Sequence, residues 1–91
     1  MSRTIWKYTL DTDADVLVHG ADPVVVHVGL DPADEDPVMP TVWVELDPTA
    51  EGWLSLRFIG TGHEAPTPGW RPVGSTVAGP FVWHVYAKAT L

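Results

Sequence analysis

The stretch that decides the fold covers residues 53–63 and reads Trp53-Leu54-Ser55-Leu56-Arg57-Phe58-Ile59-Gly60-Thr61-Gly62-His63. Apolar residues alternate through Leu54, Leu56 and Phe58, which is the pattern of a half-buried β-strand. The strand then breaks into a Gly-Thr-Gly turn that ends on a histidine. Residues 57–63 combine a cation, two glycines, a hydroxyl and an imidazole, so this segment is also the first candidate for a site.

Similar strand patterns recur on both sides of this stretch, at residues 4–10, 16–19, 24–30, 41–46, 70–78 and 81–87. Nine prolines and eight glycines separate them, and no segment keeps a helical period. This pattern is typical of antiparallel β proteins. We therefore predict an all-β fold, a small antiparallel sandwich or barrel of six to seven strands, with one domain over residues 1–91.

Local patterns also predict how the strands connect. The β-branched run at residues 24–30 reads as a buried strand, and residues 21–23 read as the turn before it. Residues 47–52 read as a hairpin connection, so that residues 53–59 return antiparallel beside residues 41–46. Pro72 restricts the strand at residues 70–78 to a sheet edge or a bulge.

Length and composition limit the function classes. A chain of 91 residues has a thin core, so a homo-oligomer is expected as a source of extra burial. The absence of cysteine excludes disulfides and thiolate sites. No apolar run approaches the roughly 20 residues that span a bilayer. We expect a soluble protein in the cytoplasm, with no membrane partner.

The charge is unevenly distributed along the chain. The formal net charge is −7, which argues against binding to duplex nucleic acid. Eleven of the 12 acidic residues lie between Lys7 and Arg57, where there is no Lys or Arg. If the two ends pair in space, part of the surface becomes cationic. The alternative is that the acidic loops only keep the protein soluble.

Three blocks of sequence carry a family resemblance: Thr4-Ile5-Trp6-Lys7-Tyr8, Gly60-Thr61-Gly62-His63 and Val82-Trp83-His84-Val85. With them the chain resembles a family of short bacteriophage and prophage proteins of about this length, whose function is unknown. The resemblance implies a phage accessory protein in the host cytoplasm, and it brings no activity. Residues 11–40 depart most from the family, so nothing specific is implied for them.

Catalytic and metal signatures are weak. The four histidines, His19, His27, His63 and His84, lack the spacing of metal ligands, and we expect neither a metal nor a cofactor. There is no Gly-x-Ser-x-Gly elbow, and Ser55, Ser75 or Thr61 becomes a nucleophile only if a histidine and an acid converge on it. His63 and His84 lack the x-Thr or x-Ser that follows the histidines of two-histidine phosphoesterases. We expect a protein that is not an enzyme.

Anion binding is a more specific hypothesis for the turn than metal binding or catalysis. Glycines let backbone N–H groups form a concavity for phosphate oxygens, and a hydroxyl and nearby cations add to it. Aromatic side chains of the terminal strands could stack a base. The predicted ligand-binding residues are Arg57, Gly60, Thr61, Gly62, His63, Lys7, His84, Trp6 and Tyr86. The alternative is a hairpin turn that needs glycine for its backbone conformation alone.

Together these features predict a binding protein that sequesters a nucleotide immune signal of the host in a pocket, without cleaving it. Two alternatives remain open. One is an acidic inhibitor that binds a host defence protein, and the other is a minor component of the virion.

Overall fold

Seven antiparallel β-strands form the molecule in the computed structural model, which describes residues 2–12 and 14–90, with only the backbone of Thr90. The strands are β1 (Thr4–Thr9), β2 (Val16–His19), β3 (Ala21–Gly29), β4 (Thr41–Asp47), β5 (Trp53–Gly60), β6 (Arg71–Ala78) and β7 (Phe81–Thr90). Sheet A has the order β1-β4-β3, and sheet B has the order β2-β5-β7-β6. The predicted all-β antiparallel fold of six to seven strands is confirmed, and of the two predicted architectures, sandwich or barrel, the two sheets form a sandwich. In the described residues no helix is long and apolar enough to cross a membrane.

The core lies between the two sheets and follows the alternation of the strands. Val42, Val44 and Leu46 of the central strand β4 are fully buried, while Trp43 and Glu45 between them face outward. The buried apolar cluster comprises Leu10, Val18, Val42, Val44, Leu46, Leu54, Leu56, Val85 and Ala87. Each large side chain in such a cluster contributes about 1.5–3 kcal/mol by leaving water.

The connection from β4 to β5 passes from one sheet to the other. β4 pairs with β1 and β3, whereas β5 pairs with β2 and β7, so the predicted hairpin over residues 47–52 is wrong. Asp47 begins this corner: its Oδ1 accepts hydrogen bonds from the N–H and the hydroxyl of Thr49, at 2.9 and 2.6 Å. Turn-forming residues indicate that the chain reverses direction, but they do not indicate which sheet the next strand joins.

A second corner connects β2 to β3 through Gly20. The N–H of Gly20 donates to the carbonyl oxygen of Gly52, at 2.9 Å, so the two corners touch. The predicted turn at residues 21–23 is wrong, because β3 begins at Ala21, which pairs with Asp47. The turn-forming residues are accommodated by a register shift and by a positive φ of 49° at Asp22.

β3 is an edge strand of sheet A, so the prediction that residues 24–30 form a buried strand is also wrong. Val24 and Val26 are exposed, and only Val25 and Val28 pack against the core. A register shift between Val25 and His27 interrupts the alternation, and His27 is exposed with its ring 5.1 Å from that of Trp43. A β-branched run indicates a strand, but it does not indicate how many neighbours that strand has.

β6 confirms the prediction made from its proline. It forms the edge of sheet B, and its register against β7 shifts between Pro72 and Gly74. Proline cannot donate a hydrogen bond to the ladder, so it is tolerated at an edge or a bulge.

Candidate functional site

The pairing of β5 with β7 decides which side chains share a face of sheet B. Residues directly opposite each other on antiparallel strands lie on the same face. Leu56 is opposite Ala87 and faces the core. By alternation, the pairs Arg57–Tyr86 and Ile59–His84 face outward.

The turn at residues 60–63 follows β5 directly, and the N–H of His63 donates to the carbonyl oxygen of Gly60, at 3.2 Å. Gly62 has a φ of 93°, which side-chain-bearing residues rarely adopt. Gly60 serves another purpose, because a Cβ there would lie 3.3 Å from both Cδ2 of His63 and Cζ3 of Trp83. Gly62 therefore supplies a backbone conformation, and Gly60 allows the close approach of His63 and Trp83.

His84 lies between two hydroxyl groups on the outer face of sheet B. Oγ1 of Thr61 is 2.7 Å from its Nε2, and Oγ of Ser75 is 2.8 Å from its Nδ1. A neutral imidazole carries one N–H, so one hydroxyl donates to the ring and the other accepts from it. Both ring nitrogens are thus occupied by hydroxyls.

The hydroxyl–imidazole contacts resemble part of a nucleophile–base pair. In the described residues, however, no carboxylate is hydrogen-bonded to His84, so the third, orienting member of a triad is not seen. No group of three or more His, Cys, Asp or Glu side chains in those residues could hold a metal ion.

Trp83 forms the aromatic wall beside the turn. Its ring stacks on that of Phe81, with centroids 5.0 Å apart and an interplanar angle of 13°. The ring of Phe58 is nearly perpendicular to it, with centroids 5.0 Å apart and an interplanar angle of 81°. The indole N–H donates to the carbonyl oxygen of Val38, at 2.8 Å. The loop at residues 31–40, which lies between β3 and β4, thus fixes the orientation of the ring. Phe81 remains 52% exposed, which leaves an aromatic ring available to solvent.

A pocket of about 440 Å³ wraps around this end of the β5–β7 pair. We call it the turn pocket, and its lining residues are Gly60, Thr61, His63, Pro80, Phe81, Val82 and Trp83. A neighbouring cavity of about 530 Å³ shares Gly60, His63 and Trp83 with it, and its wall includes Glu64. Volumes of about 300–1,000 Å³ are typical of sites for small organic ligands.

Arg57 lies outside the turn pocket, and its charge is already engaged. Its Nε and one terminal nitrogen contact both carboxylate oxygens of Asp15, at 2.8 and 2.9 Å. The guanidinium also lies 4.4 Å from the ring centroid of Trp70, and Nζ of Lys88 lies 6.0 Å from the same centroid. The hydrogen bonds to Asp15 raise the pKa of Arg57. Tyr86 is opposite Arg57 on the same face.

Trp6 and Lys7 belong to β1, at the edge of the other sheet. Nζ of Lys7 is 2.8 Å from Oδ2 of Asp31, and this hydrogen bond is the main reason that the pKa of Asp31 is lowered. Trp6 and Lys7 thus lie on the other sheet from Arg57 and Gly60, and neither lines the pocket around the 60–63 turn. Both ends of the chain form strands, but these strands join different sheets.

Of the nine predicted residues, Gly60, Thr61 and His63 line the turn pocket, Gly62 belongs to the same turn, and His84 contacts Thr61. Sequence reasoning missed Phe81 and Trp83 as pocket residues. The alternation of β7 placed them on one face, but nothing local showed that this face meets the 60–63 turn.

A family model described as "Domain of unknown function (DUF7352)" matches residues 1–91. No curated protein and no solved structure matches the chain.

Proposed function

We propose that this chain, which belongs to the DUF7352 family of domains of unknown function, is a binding protein. It holds a nucleotide in the turn pocket without cleaving it. The observation that carries the proposal is the stacked Phe81–Trp83 pair beside His63 and the 60–63 turn. Bases commonly stack on aromatic side chains, and backbone N–H groups of a turn can form a concavity for phosphate oxygens.

The aromatic end of the pocket suits a nucleobase. Stacking of a base on an aromatic side chain contributes about 1–3 kcal/mol and tolerates any base. Trp83 is held by Phe58 and by the carbonyl oxygen of Val38, so little ordering is needed when a ligand binds. Phe81 offers the accessible ring, and we place the base against it.

The polar end of the pocket suits a small number of phosphate oxygens. The described residues that line the turn pocket include no carboxylate, whereas Glu64 lines the neighbouring cavity. The imidazole of His63 and the hydroxyl of Thr61 are the side-chain groups that could meet a phosphate there. A formal net charge of −7 disfavours long polyanions, which favours a small nucleotide over a nucleic acid chain.

We further propose a phage or prophage origin and a ligand that is a nucleotide immune signal in the host cytoplasm. The phage or prophage origin is supported by the sequence blocks that resemble phage proteins. Retention of the ligand, rather than cleavage, is supported by the hydroxyl partners of His84, which leave its ring nitrogens without a carboxylate partner in the described residues.

Calorimetry with a panel of cyclic and linear nucleotides tests the proposal. We expect at least one ligand to bind and to be recovered intact. Phe81→Ala should weaken its binding at least tenfold, because the stacking surface is lost. Arg57→Ala is the matched control, since its side chain lies outside the pocket, and it should leave the affinity unchanged. Absence of binding across the panel rejects the proposed function, and recovery of a cleaved nucleotide rejects retention.

A second candidate function, an acidic inhibitor of a host defence protein, is favoured by the 31–40 loop. Asp34, Glu35 and Asp36 are exposed in succession there. The N–H of Asp36 donates to Oδ1 of Asp34, at 3.1 Å, which holds the loop in a defined turn. The combined change of Asp34 and Asp36 to Asn and Glu35 to Gln should abolish salt-sensitive capture of one host protein. Equal capture by the wild type and this variant counts against the candidate.

A further inference from the structure

The sandwich has four edge strands, and three of them carry a feature that hinders pairing with another strand. β2 has only four residues. β3 contains Pro23 and two register shifts, and β6 contains Pro72 and one register shift. Such short strands, prolines and bulges are the usual protection of sheet edges. β1 has six residues, no proline and a regular register against β4, so it is the unprotected edge.

The direction of the backbone groups along β1 follows from one hydrogen bond. The N–H of Leu10 donates to the carbonyl oxygen of Pro40, at 2.9 Å, so this opposed pair is a hydrogen-bonded one. Hydrogen-bonded and non-hydrogen-bonded pairs alternate in an antiparallel ladder. The N–H and C=O groups of Ile5, Lys7 and Thr9 therefore point away from β4, toward the open edge.

The side chains of β1 leave this edge accessible, and its two cations are ion-paired within the subunit. Ile5 is 54% exposed and Trp6 is 52% exposed. Lysine commonly protects a strand edge by its charge. Here, Nζ of Lys7 is 2.8 Å from Oδ2 of Asp31, and Nε of Arg3 is 2.8 Å from Oε2 of Glu45. Both positive charges are thus partly offset within the subunit, and the Lys7 side chain stays 49% exposed.

We propose that β1 pairs antiparallel with β1 of a second copy of this chain, about a twofold axis that passes through Trp6. The two A sheets then form one continuous sheet. Ile5 lies opposite Lys7 of the partner subunit, and each such pair exchanges two backbone hydrogen bonds. Trp6 lies opposite the partner's Trp6, in a non-hydrogen-bonded pair where side chains approach most closely.

Charge selects this register over its neighbours. An axis through Lys7 would place the two Lys7 side chains opposite each other. An axis through Ile5 would place Arg3 opposite Lys7 of the partner subunit. Like charges directly opposite each other are destabilising, and only the axis through Trp6 avoids both contacts while it keeps most of β1 paired. The proposal rests on the edge of sheet A and is independent of any ligand in the turn pocket.

Disulfide cross-linking tests the register, because the chain contains no cysteine of its own. We expect Trp6→Cys to form a covalent dimer on oxidation, since Cα atoms about 4.5 Å apart fall within disulfide range. Ile5→Cys alone should stay monomeric on a non-reducing gel, whereas an equimolar mixture of Ile5→Cys and Lys7→Cys should cross-link. Cross-linking of Ile5→Cys alone, or none in the mixture, overturns the proposed register.

Sedimentation of the unmodified chain tests the dimer itself. We expect a concentration-dependent dimer, and Lys7→Pro should weaken its association at least tenfold. The N–H of Lys7 points to the open edge, so proline removes an intermolecular donor and no bond to β4. An unchanged circular dichroism spectrum and a retained cooperative melting transition show that the variant has folded. A wild-type chain that stays monomeric at every concentration overturns the proposal.

Discussion

Oγ1 of Thr61 lies 2.7 Å from Nε2 of His84, and this contact ties the turn after β5 to the neighbouring strand β7. The same imidazole contacts Ser75 of β6 through its other nitrogen, at 2.8 Å. One side chain thus connects a turn and an edge strand to the centre of sheet B, beside the turn pocket.

Removal of either hydroxyl should loosen this arrangement. We expect Thr61→Val to lower the free energy of unfolding by about 0.5–1 kcal/mol, the usual net value of one hydrogen bond. Urea unfolding at neutral pH measures it. In the background of His84→Ala, the same Thr61 change should have little effect, because its partner is gone. Equal losses in both backgrounds would show that the contact contributes nothing.

The two faces of sheet B should respond very differently to truncation of leucine. Leu56 is fully buried in the core, while Leu17, on the neighbouring strand, is 60% exposed. We expect Leu56→Ala to cost about 2–5 kcal/mol, through lost burial and the cavity left behind. Leu17→Ala should change the stability by less than about 0.5 kcal/mol. Chemical unfolding of both variants measures the difference, and similar values would contradict the assignment of faces.

The contact between the two corners should make Gly52 intolerant of a side chain. A Cβ on Gly52 would overlap the carbonyl oxygen of Gly20, and that obstacle is backbone, which cannot rotate away. Gly79 is the control: it has a φ of 58° but open space around its Cα. We expect Gly79→Ala to cost about 1–2 kcal/mol of backbone strain. Gly52→Ala should cost more, as thermal unfolding will measure, and a smaller loss would contradict the close corner contact.

The corner at Asp47 should make the free energy of unfolding depend on pH in the acid range. Hydrogen bonds from the hydroxyl and then the N–H of Thr49 lower the pKa of the Asp47 carboxyl. A carboxyl whose pKa is lowered on folding stabilises the protein above its unfolded pKa. That stabilisation is lost as the pH falls through the lower, folded pKa, in a window below about pH 4.

Thr49→Val tests this origin of the pH dependence, because it removes the hydroxyl and keeps the N–H. The pKa of Asp47 should rise toward its ordinary value, and acid unfolding should begin at a higher pH. Carboxyl-carbon NMR titration measures the pKa directly. An unchanged titration curve for Asp47 would assign the shift to another group.

The sequence predicted the strands well, and where the alternation is unbroken, as in β4, it also predicted their faces. Val42 and Val44 are buried and Trp43 between them is not, as a period of two requires. The partners of the strands were not predictable in this way. Residues 47–52 read as a hairpin, although they lead to the other sheet, because a turn signal carries no information about distant segments.

The site was predictable in part for the same reason. Residues 60–63 were recognisable as a turn with polar groups, since they are contiguous. The contact of Thr61 with His84 joins residues 23 positions apart, and it depends on the pairing of β5 with β7. The separation of Lys7 from Arg57 likewise depends on the sheet that each strand joins, which neither residue type reveals.

The position of β7 in the middle of sheet B sets the order of events during synthesis. Six strands precede β7 in the chain, yet it lies between β5 and β6 in the sheet. Folds that depend on such distant pairings form in milliseconds to seconds, and a ribosome adds only about 5–20 residues per second. Until β7 emerges, β5 lacks one of its two neighbours, and β6 has no partner in its own sheet. This interval is when a chaperone would be needed most.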